Sequence, residues 1–365
     1  MSANNLPFLS VFLLLSLLRF DSIPVLEAAA GKLGSIPGVY VFGDSLVDAG
    51  NNNYLPFSLA KGNYPHNGID FPKKKATGRF CNGKNFADVI AEKIGLPLPP
   101  PYLSLRGLLK WRKRESAAVT GVNFASGGAG IFDGSSQFPQ LKHWLSIHKA
   151  LTRKLGRSKA QIHLSKSLFV MVIGSNDLLN YIRSSQLRRK SSPQQYTQSV
   201  VDRFKAQLKE TGARRFLILG VAELGCMPSR REKNSTTHEC NKEANMLASL
   251  YNKALIKMLQ QLKEELKSSM AYSYFDMFNS VHDIVSNPAH YGFSDVTSAC
   301  CGSGVLNAEL PCFPVSNLCS DRTKYLFWDR YGHPTEAAAR TIVNFVLSED
   351  TQYSSPLTLT QLVSS

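Results

Sequence analysis

The sequence predicts an α/β fold, a doubly wound and mainly parallel sheet flanked by helices, on three observations. Five short segments, 38–42, 122–125, 168–173, 216–219 and 271–275, are apolar and rich in β-branched or aromatic side chains, the composition of strands buried on both faces. Helical patterns lie between them. The stretches richest in Gly, Ser, Asn and Asp come directly after the strands, at the sheet edge where open α/β folds bind their ligands.

Taken in order, the chain starts with an apolar run, 6–20, shorter than the ~20 residues that span a bilayer and followed by Ala28, Ala29 and Ala30. Residues 1–30 read as a signal peptide. No Lys or Arg precedes the run, so a short buried N-terminal segment is the alternative. No later stretch has the length and purity of a membrane helix, which argues against stable membrane insertion. With no linker, repeat or charge block to divide it, the remainder is expected to be a single domain, 31–347, ending in a loosely attached Ser/Thr-rich tail, 348–365.

Helices are expected near 85–94, 138–155, 193–211 and 240–267. In the last of these Leu247, Leu250, Tyr251, Ala254, Leu255, Met258, Leu259 and Leu262 recur at helical spacing, which marks a core face and not a cofactor pocket. A final helix follows His333-Pro334-Thr335-Glu336, with proline where a first turn tolerates it, and runs on through Ala337, Ala338, Ile342, Val343 and Val346.

Formal net charge is +15, rising to +16 without residues 1–30, which carry Arg19 against Asp21 and Glu27. The basic residues cluster at Lys110, Arg112, Lys113 and Arg114, at Arg188, Arg189 and Lys190, and at Arg230, Arg231 and Lys233. These runs read as solvated loop faces or as sites of retention on acidic cell-wall polysaccharide, an attraction that salt would screen. Nucleic acid is disfavoured, because neither zinc-finger spacing nor an interleaved aromatic ladder is present.

All seven cysteines follow the expected cleavage site, and an odd number leaves one unpaired in a monomer, the expected state. Cys226 and Cys240 flank a polar loop containing Asn234-Ser235-Thr236, compatible with a bridge that closes the loop and with a glycan on Asn234. Cys300, Cys301, Cys312 and Cys319 form a second cluster. Zinc is the alternative there, but two of the four are adjacent and the route is secretory.

Four segments carry chemistry. Ser45 follows the first strand in Gly43-Asp44-Ser45-Leu46, where a strand-to-helix turn exposes a hydroxyl near free backbone N–H groups. The competing reading pairs Ser45 with Asp48 as a helix-capping box. Asn123-Phe124-Ala125-Ser126-Gly127-Gly128 follows the second strand and Gly174-Ser175-Asn176-Asp177 the third. A backbone N–H in the glycine turn and the Asn176 amide are donors suited to a developing oxyanion. In the fourth segment, 327–334, Asp329 and His333 supply a base near neutrality and a carboxylate to orient it. His143 and His148 have no ligand spacing and read as structural.

Together these blocks, with Thr77-Gly78-Arg79-Phe80 and Cys300-Cys301-Gly302, resemble the GDSL esterase/lipase family of plants, within the SGNH hydrolases. The resemblance implies a flavodoxin-like three-layer sandwich and a secreted, extracellular serine ester hydrolase. Ser45 would be nucleophile and one oxyanion donor, Gly128 or Gly127 a second donor, and Asn176 a third. His333 would be the base and Asp329 its orienting carboxylate, with no metal or organic cofactor. The substrate would be an ester of a lipid, a small molecule or a polysaccharide. The chain departs from the family at one point: three residues, Arg330, Tyr331 and Gly332, separate Asp329 from His333 where the family usually has two. Gly332 is expected to absorb the extra residue in a backbone conformation closed to other side chains, and Asp321 is the alternative carboxylate. Acyl transfer to an alcohol, and a catalytically weak wall-binding glycoprotein, are the competing functions.

Overall fold

The five apolar segments become five parallel strands: β1 Val39–Gly43, β2 Gly121–Asn123, β3 Leu168–Val172, β4 Arg215–Leu219 and β5 Ala271–Phe275. The computed structural model describes residues 36–132, 139–234 and 236–364; the expected signal peptide lies outside them. β1 sits between β2 and β3. The chain therefore leaves β1 to one side and returns on the other, and this reversal opens a crevice at the carboxyl end of β1, where Ser45 follows.

Strand alternation sorts the side chains into two cores. Tyr40 and Phe42 point to one face, packing with Phe124, Trp144 and Phe169; Val39 and Val41 point to the other, against Phe86, Ile90, Ile342 and Val343. Each fully buried side chain of this size contributes roughly 1.5–3 kcal/mol. Helices 140–155, 193–211 and 242–266 cover the first face, and helices 86–93, 336–347 and 359–364 the second. The helix starts follow from capping chemistry. Asn85 and Asp88, and Ser192 and Gln195, form reciprocal capping boxes; Asn241 caps helix 242–266, and Thr335 caps helix 336–347 with Pro334 just ahead of the cap.

Four short strands build an appendage on this sandwich. β6 Asp295–Ala299 pairs in parallel with β9 Tyr325–Phe327, and β7 Cys301–Gly302 antiparallel with β8 Asn317–Leu318. Disulfides Cys300–Cys319 and Cys301–Cys312 join around buried Trp328. A third bridge, Cys226–Cys240, closes the polar loop as expected. The cysteines of the second cluster are thus paired with one another, and Cys81 is the free, buried one.

Two expectations are corrected. The tail expected over 348–365 is, in its described residues 348–364, not loosely attached: β10 Ser354–Pro356 pairs antiparallel with β5, and helix 359–364 sinks Leu359, Leu362 and Val363 into the second core. Proline is tolerated in β10 because this is an edge strand. The basic clusters are not all loop faces either. Arg112–Arg114 lie on helix Trp111–Thr120 and Arg188–Lys190 on helix Ser185–Lys190, while Arg231 is buried, donating to Cys226 O at 3.1 Å and His238 O at 3.1 Å.

Candidate active site

The turn after β1 is fastened by buried polar side chains. The Asp44 N–H donates to Val172 O at 3.1 Å, which extends the β1–β3 ladder by one bond and sets the height of Ser45. No α-helix follows, and Ser45 does not cap one. The chain turns and enters the 3₁₀ helix Asn51–Tyr54. Asp48, read from the sequence as a capping partner, instead accepts from the N–H groups of Gly50 and Asn51, both at 2.7 Å, and of Gly127 at 3.0 Å. Asn51 donates to Asn123 O and Ala125 O, and Asn52 to Ala60 O and Gly127 O, at 2.8–2.9 Å. The Ser45 turn and the glycine turn are thereby locked together by buried hydrogen bonds.

The two glycines are separated by these bonds. The N–H of Gly127 is committed to Asp48, and a Cβ there would meet the Phe80 ring at 2.7 Å. Gly128, at φ 83°, faces the cleft and its N–H has no acceptor among the described residues; the same holds for the Ser45 N–H. Asn176 stands in the first turn of helix Ser175–Arg183 and donates one amide hydrogen to Ala129 O at 2.9 Å, leaving the other.

The opposite side of the site comes from the appendage. Cys300 N donates to Phe327 O at 2.9 Å, Cys301 N to Trp328 O at 2.8 Å, and Trp328 N to His333 O at 2.7 Å. This ladder carries the turn 329–333. Asp329 Oδ1 accepts from Tyr331 N at 2.9 Å, and Gly332 adopts φ 77°, so the extra residue is accommodated in a left-handed conformation. A Cβ on Gly332 would lie 2.6 Å from Met227 Cγ. The outcome is a continuous relay: His333 Nε2 is 2.7 Å from Ser45 Oγ, and His333 Nδ1 is 2.6 Å from Asp329 Oδ2. Asp321 is exposed and bonded to Thr323, and takes no part.

Electrostatics favour a basic imidazole. Burial opposes charge on His333, but the Asp329 carboxylate and its hydrogen bond, with help from Asp44, outweigh it and raise the imidazole above its ordinary value. Asp44 is itself buried, with Oδ1 accepting from Leu46 N at 3.0 Å and Oδ2 unpartnered, and burial pushes its carboxyl up to about 7. Burial likewise raises Asp48, to about 6, against the three N–H groups it accepts.

Sequence reasoning gave Asp48 only a capping role, and singled out neither Asn51, Asn52 nor Phe80 for the site. The Phe80 ring stacks on His333, centroids 5.2 Å apart, and its segment is held by a buried two-point ion pair, Arg79 to Asp88 at 2.5 and 2.7 Å. Position just after a strand was the available signal for Asp48; for Phe80 it was only membership of a recurring block. His143 and His148 pack against Tyr102 and Trp144, as structural histidines do.

Ser45, Gly128, Asn176, Asp329 and His333 all line one cleft of about 480 Å³. Its inner wall is apolar, with Phe86, Met277, Val281 and Ile342 reaching in from the second core. Glu223, paired with His282 Nδ1 at 3.2 Å, adds a polar spot. No cluster of His, Cys, Asp and Glu suited to a metal occurs among the described residues.

Residues 39–346 match the family described as GDSL-like lipase/acylhydrolase. A GDSL esterase/lipase of Arabidopsis thaliana is 70% identical over 376 residues, covering 100% of both chains. A second from the same plant is 36% identical, over 98% of this chain and 97% of its own. Among solved structures, a mutant acetylxylan esterase from Geobacillus stearothermophilus overlaps 86% of this chain and 92% of its own at 13% identity, with a TM-score of 0.39.

Proposed function

Because this chain belongs to the GDSL-like lipase/acylhydrolase family, and is accordingly a carboxylic ester hydrolase, we propose that Ser45 is its nucleophile, His333 its general base and Asp329 the carboxylate that orients the base. One observation carries the reading: the relay Ser45 Oγ–His333–Asp329, with links of 2.7 and 2.6 Å, stands in a cleft beside two backbone donors that lack acceptors.

The chemistry follows from that arrangement. His333 takes the Ser45 proton as Oγ attacks the ester carbonyl, and Asp329 stabilises the imidazolium that forms. The N–H groups of Ser45 and Gly128 and the free amide hydrogen of Asn176 receive the negative oxygen; losing one such donor costs roughly 10²–10³ in rate. Gly128 is preferred to Gly127 because the latter's N–H is committed to Asp48. The alcohol leaves with the proton from His333, and water activated by the same imidazole releases the acid. None of these steps calls on a metal or an organic cofactor.

The substrate is an ester of a lipid, a small molecule or a polysaccharide, and the protein works outside the cell as a monomer after loss of residues 1–30. Three disulfides among the described residues support an oxidising compartment. Asn234, in the loop closed by Cys226–Cys240, carries a glycan. Residues 31–347 form one domain, to which β10 and helix 359–364 also belong. Labelling of the secreted protein by a fluorophosphonate tests the assignment. The expected result is one modified residue, Ser45, and no labelling of Ser45→Ala or His333→Ala. Undiminished labelling of folded Ser45→Ala would reject it.

A further inference from the structure

The cleft opens between two segments whose large apolar side chains face solvent. On one, Phe57 is 95% and Leu59 99% exposed; on the other, Phe313 is 44% and Val315 94% exposed. Leu59 and Phe313 also line the cleft, so the two lips bound one opening. Single exposed apolar residues need no explanation, but paired apolar lips at the mouth of a cleft mark an interaction site. Beside them lies a basic flank. Half-buried Lys61 lines the cleft from the first lip, exposed Arg183 lines it at the end of its helix, and Arg188, Arg189 and Lys190, also exposed, follow on the next helix. Among the ion pairs of the described residues, Glu243, 3.9 Å from Arg188, is the acidic partner on that flank.

We propose that the lips and the basic flank dock the protein on an anionic lipid surface. The apolar tips of the lips enter the surface, and the Arg and Lys side chains meet its phosphates and carboxylates. This seats the mouth of the cleft on the layer that supplies the ester. The two features favour one occupant. An acidic polysaccharide would engage the basic flank but leave Phe57 and Val315 in water. A second copy would bury the lips but bring two chains of net charge +15 together. A surface with an apolar interior and anionic headgroups satisfies both. The inference rests on the Ser45–His333 cleft being the active one.

Cosedimentation of the full chain with vesicles tests it, using phosphatidylcholine alone and phosphatidylcholine with about 30 mol % phosphatidylglycerol. Hydrolysis of soluble p-nitrophenyl acetate is followed in parallel. The wild type is expected to bind the anionic vesicles, less so as salt rises. Phe57→Ser/Val315→Ser and Arg188→Glu/Arg189→Glu should each weaken binding by about tenfold or more while leaving turnover of the soluble ester unchanged. Neither pair lines the cleft. Equal or absent binding to both vesicles would overturn the proposal. So would a dimer that Phe57→Ser/Val315→Ser dissociates, or pectate binding tighter than vesicle binding and indifferent to the lips. Vesicle binding with no turnover of the soluble ester would instead defeat the esterase reading and leave the docking in place.

Discussion

Ser45 and His333 meet from two regions built on different principles. The Ser45 turn grows from the central sheet and is held by buried carboxylate and amide side chains: Asp48 on three N–H groups, and Asn51 and Asn52 across to the glycine turn. The His333 turn hangs from an appendage of two-stranded ladders with few apolar side chains, fastened by Cys300–Cys319 and Cys301–Cys312. A region that shares the main core can afford positioning by hydrogen bonds, because the surrounding packing already excludes water and alternative partners. A region that cannot bury enough apolar surface of its own is positioned by covalent links.

The first test that would break this comparison is the largest in effect. Ser45→Ala and His333→Ala should each lower kcat by about 10⁶, because residues acting as a unit fail together; unequal losses in steady-state assays would show that the regions do not cooperate as described. Asp329→Asn should cost about 10⁴ in kcat with KM little changed, since the amide holds the wrong tautomer of His333.

The two modes of attachment then separate. Asp48→Ala leaves the buried N–H groups of Gly50 and Asn51, and the part-buried one of Gly127, without their acceptor and should lower kcat/KM by about 10² and thermal stability by roughly 1–3 kcal/mol, under oxidising and reducing conditions alike. Removing Cys301–Cys312 as Cys301→Ser/Cys312→Ser should cost roughly 2–5 kcal/mol and unseat His333 before the sheet melts, so that activity is lost at a lower temperature than far-UV ellipticity. Coincident loss of the two signals would merge the regions into one cooperative unit.

The smallest effects are in pH dependence. His333, as the proposed base, must be neutral, and its pKa is raised, so the acid limb of kcat/KM should lie above the ordinary imidazole value of ~6.5. The groups facing His333 are Asp329 and Asp44; those facing Asp44 are His333, Asp177 and Tyr251. Asp44→Asn removes one raising influence and should move the limb to lower pH. Linkage has a defined sign here. The folded Asp44 carboxyl, at about 7, lies above its unfolded value, so its contribution is fully present below that unfolded value and is lost as pH rises through 7. Relative to the wild type, Asp44→Asn should therefore gain stability progressively from about pH 4 to 7 in melting experiments, with no further gain above that.

Legibility in the sequence follows the same division. The strands were readable because burial on both faces leaves runs such as Leu168–Val172 with no polar residue, and Ser45, Asp329 and His333 were legible as a candidate set because their blocks, taken together and in order, resemble one family. Pairing of Cys300 with Cys319, and of Cys301 with Cys312, depends on a two-residue ladder that no periodicity announces. Asp48 looked like a capping residue because its spacing from Ser45 is that of a box, while its partner Gly127 is distant in sequence. The edge strand β10 was hidden for a related reason. Ser354-Ser355-Pro356 is polar, and only the free edge of β5 makes it a strand.

The seventh cysteine also has a bearing on maturation. Cys81 lies buried beside the segment that stacks on His333, and burial pushes its thiol well above the usual range, so it carries almost no thiolate. Six cysteines admit 15 sets of three bridges, and a competing seventh multiplies the possibilities about sevenfold. Hiding one sulfur before oxidation begins removes that excess of wrong isomers. Reduced protein given oxidant only after it has folded should therefore yield more native chain than reduced protein oxidised in denaturant, where Cys81 is open to competing bridges.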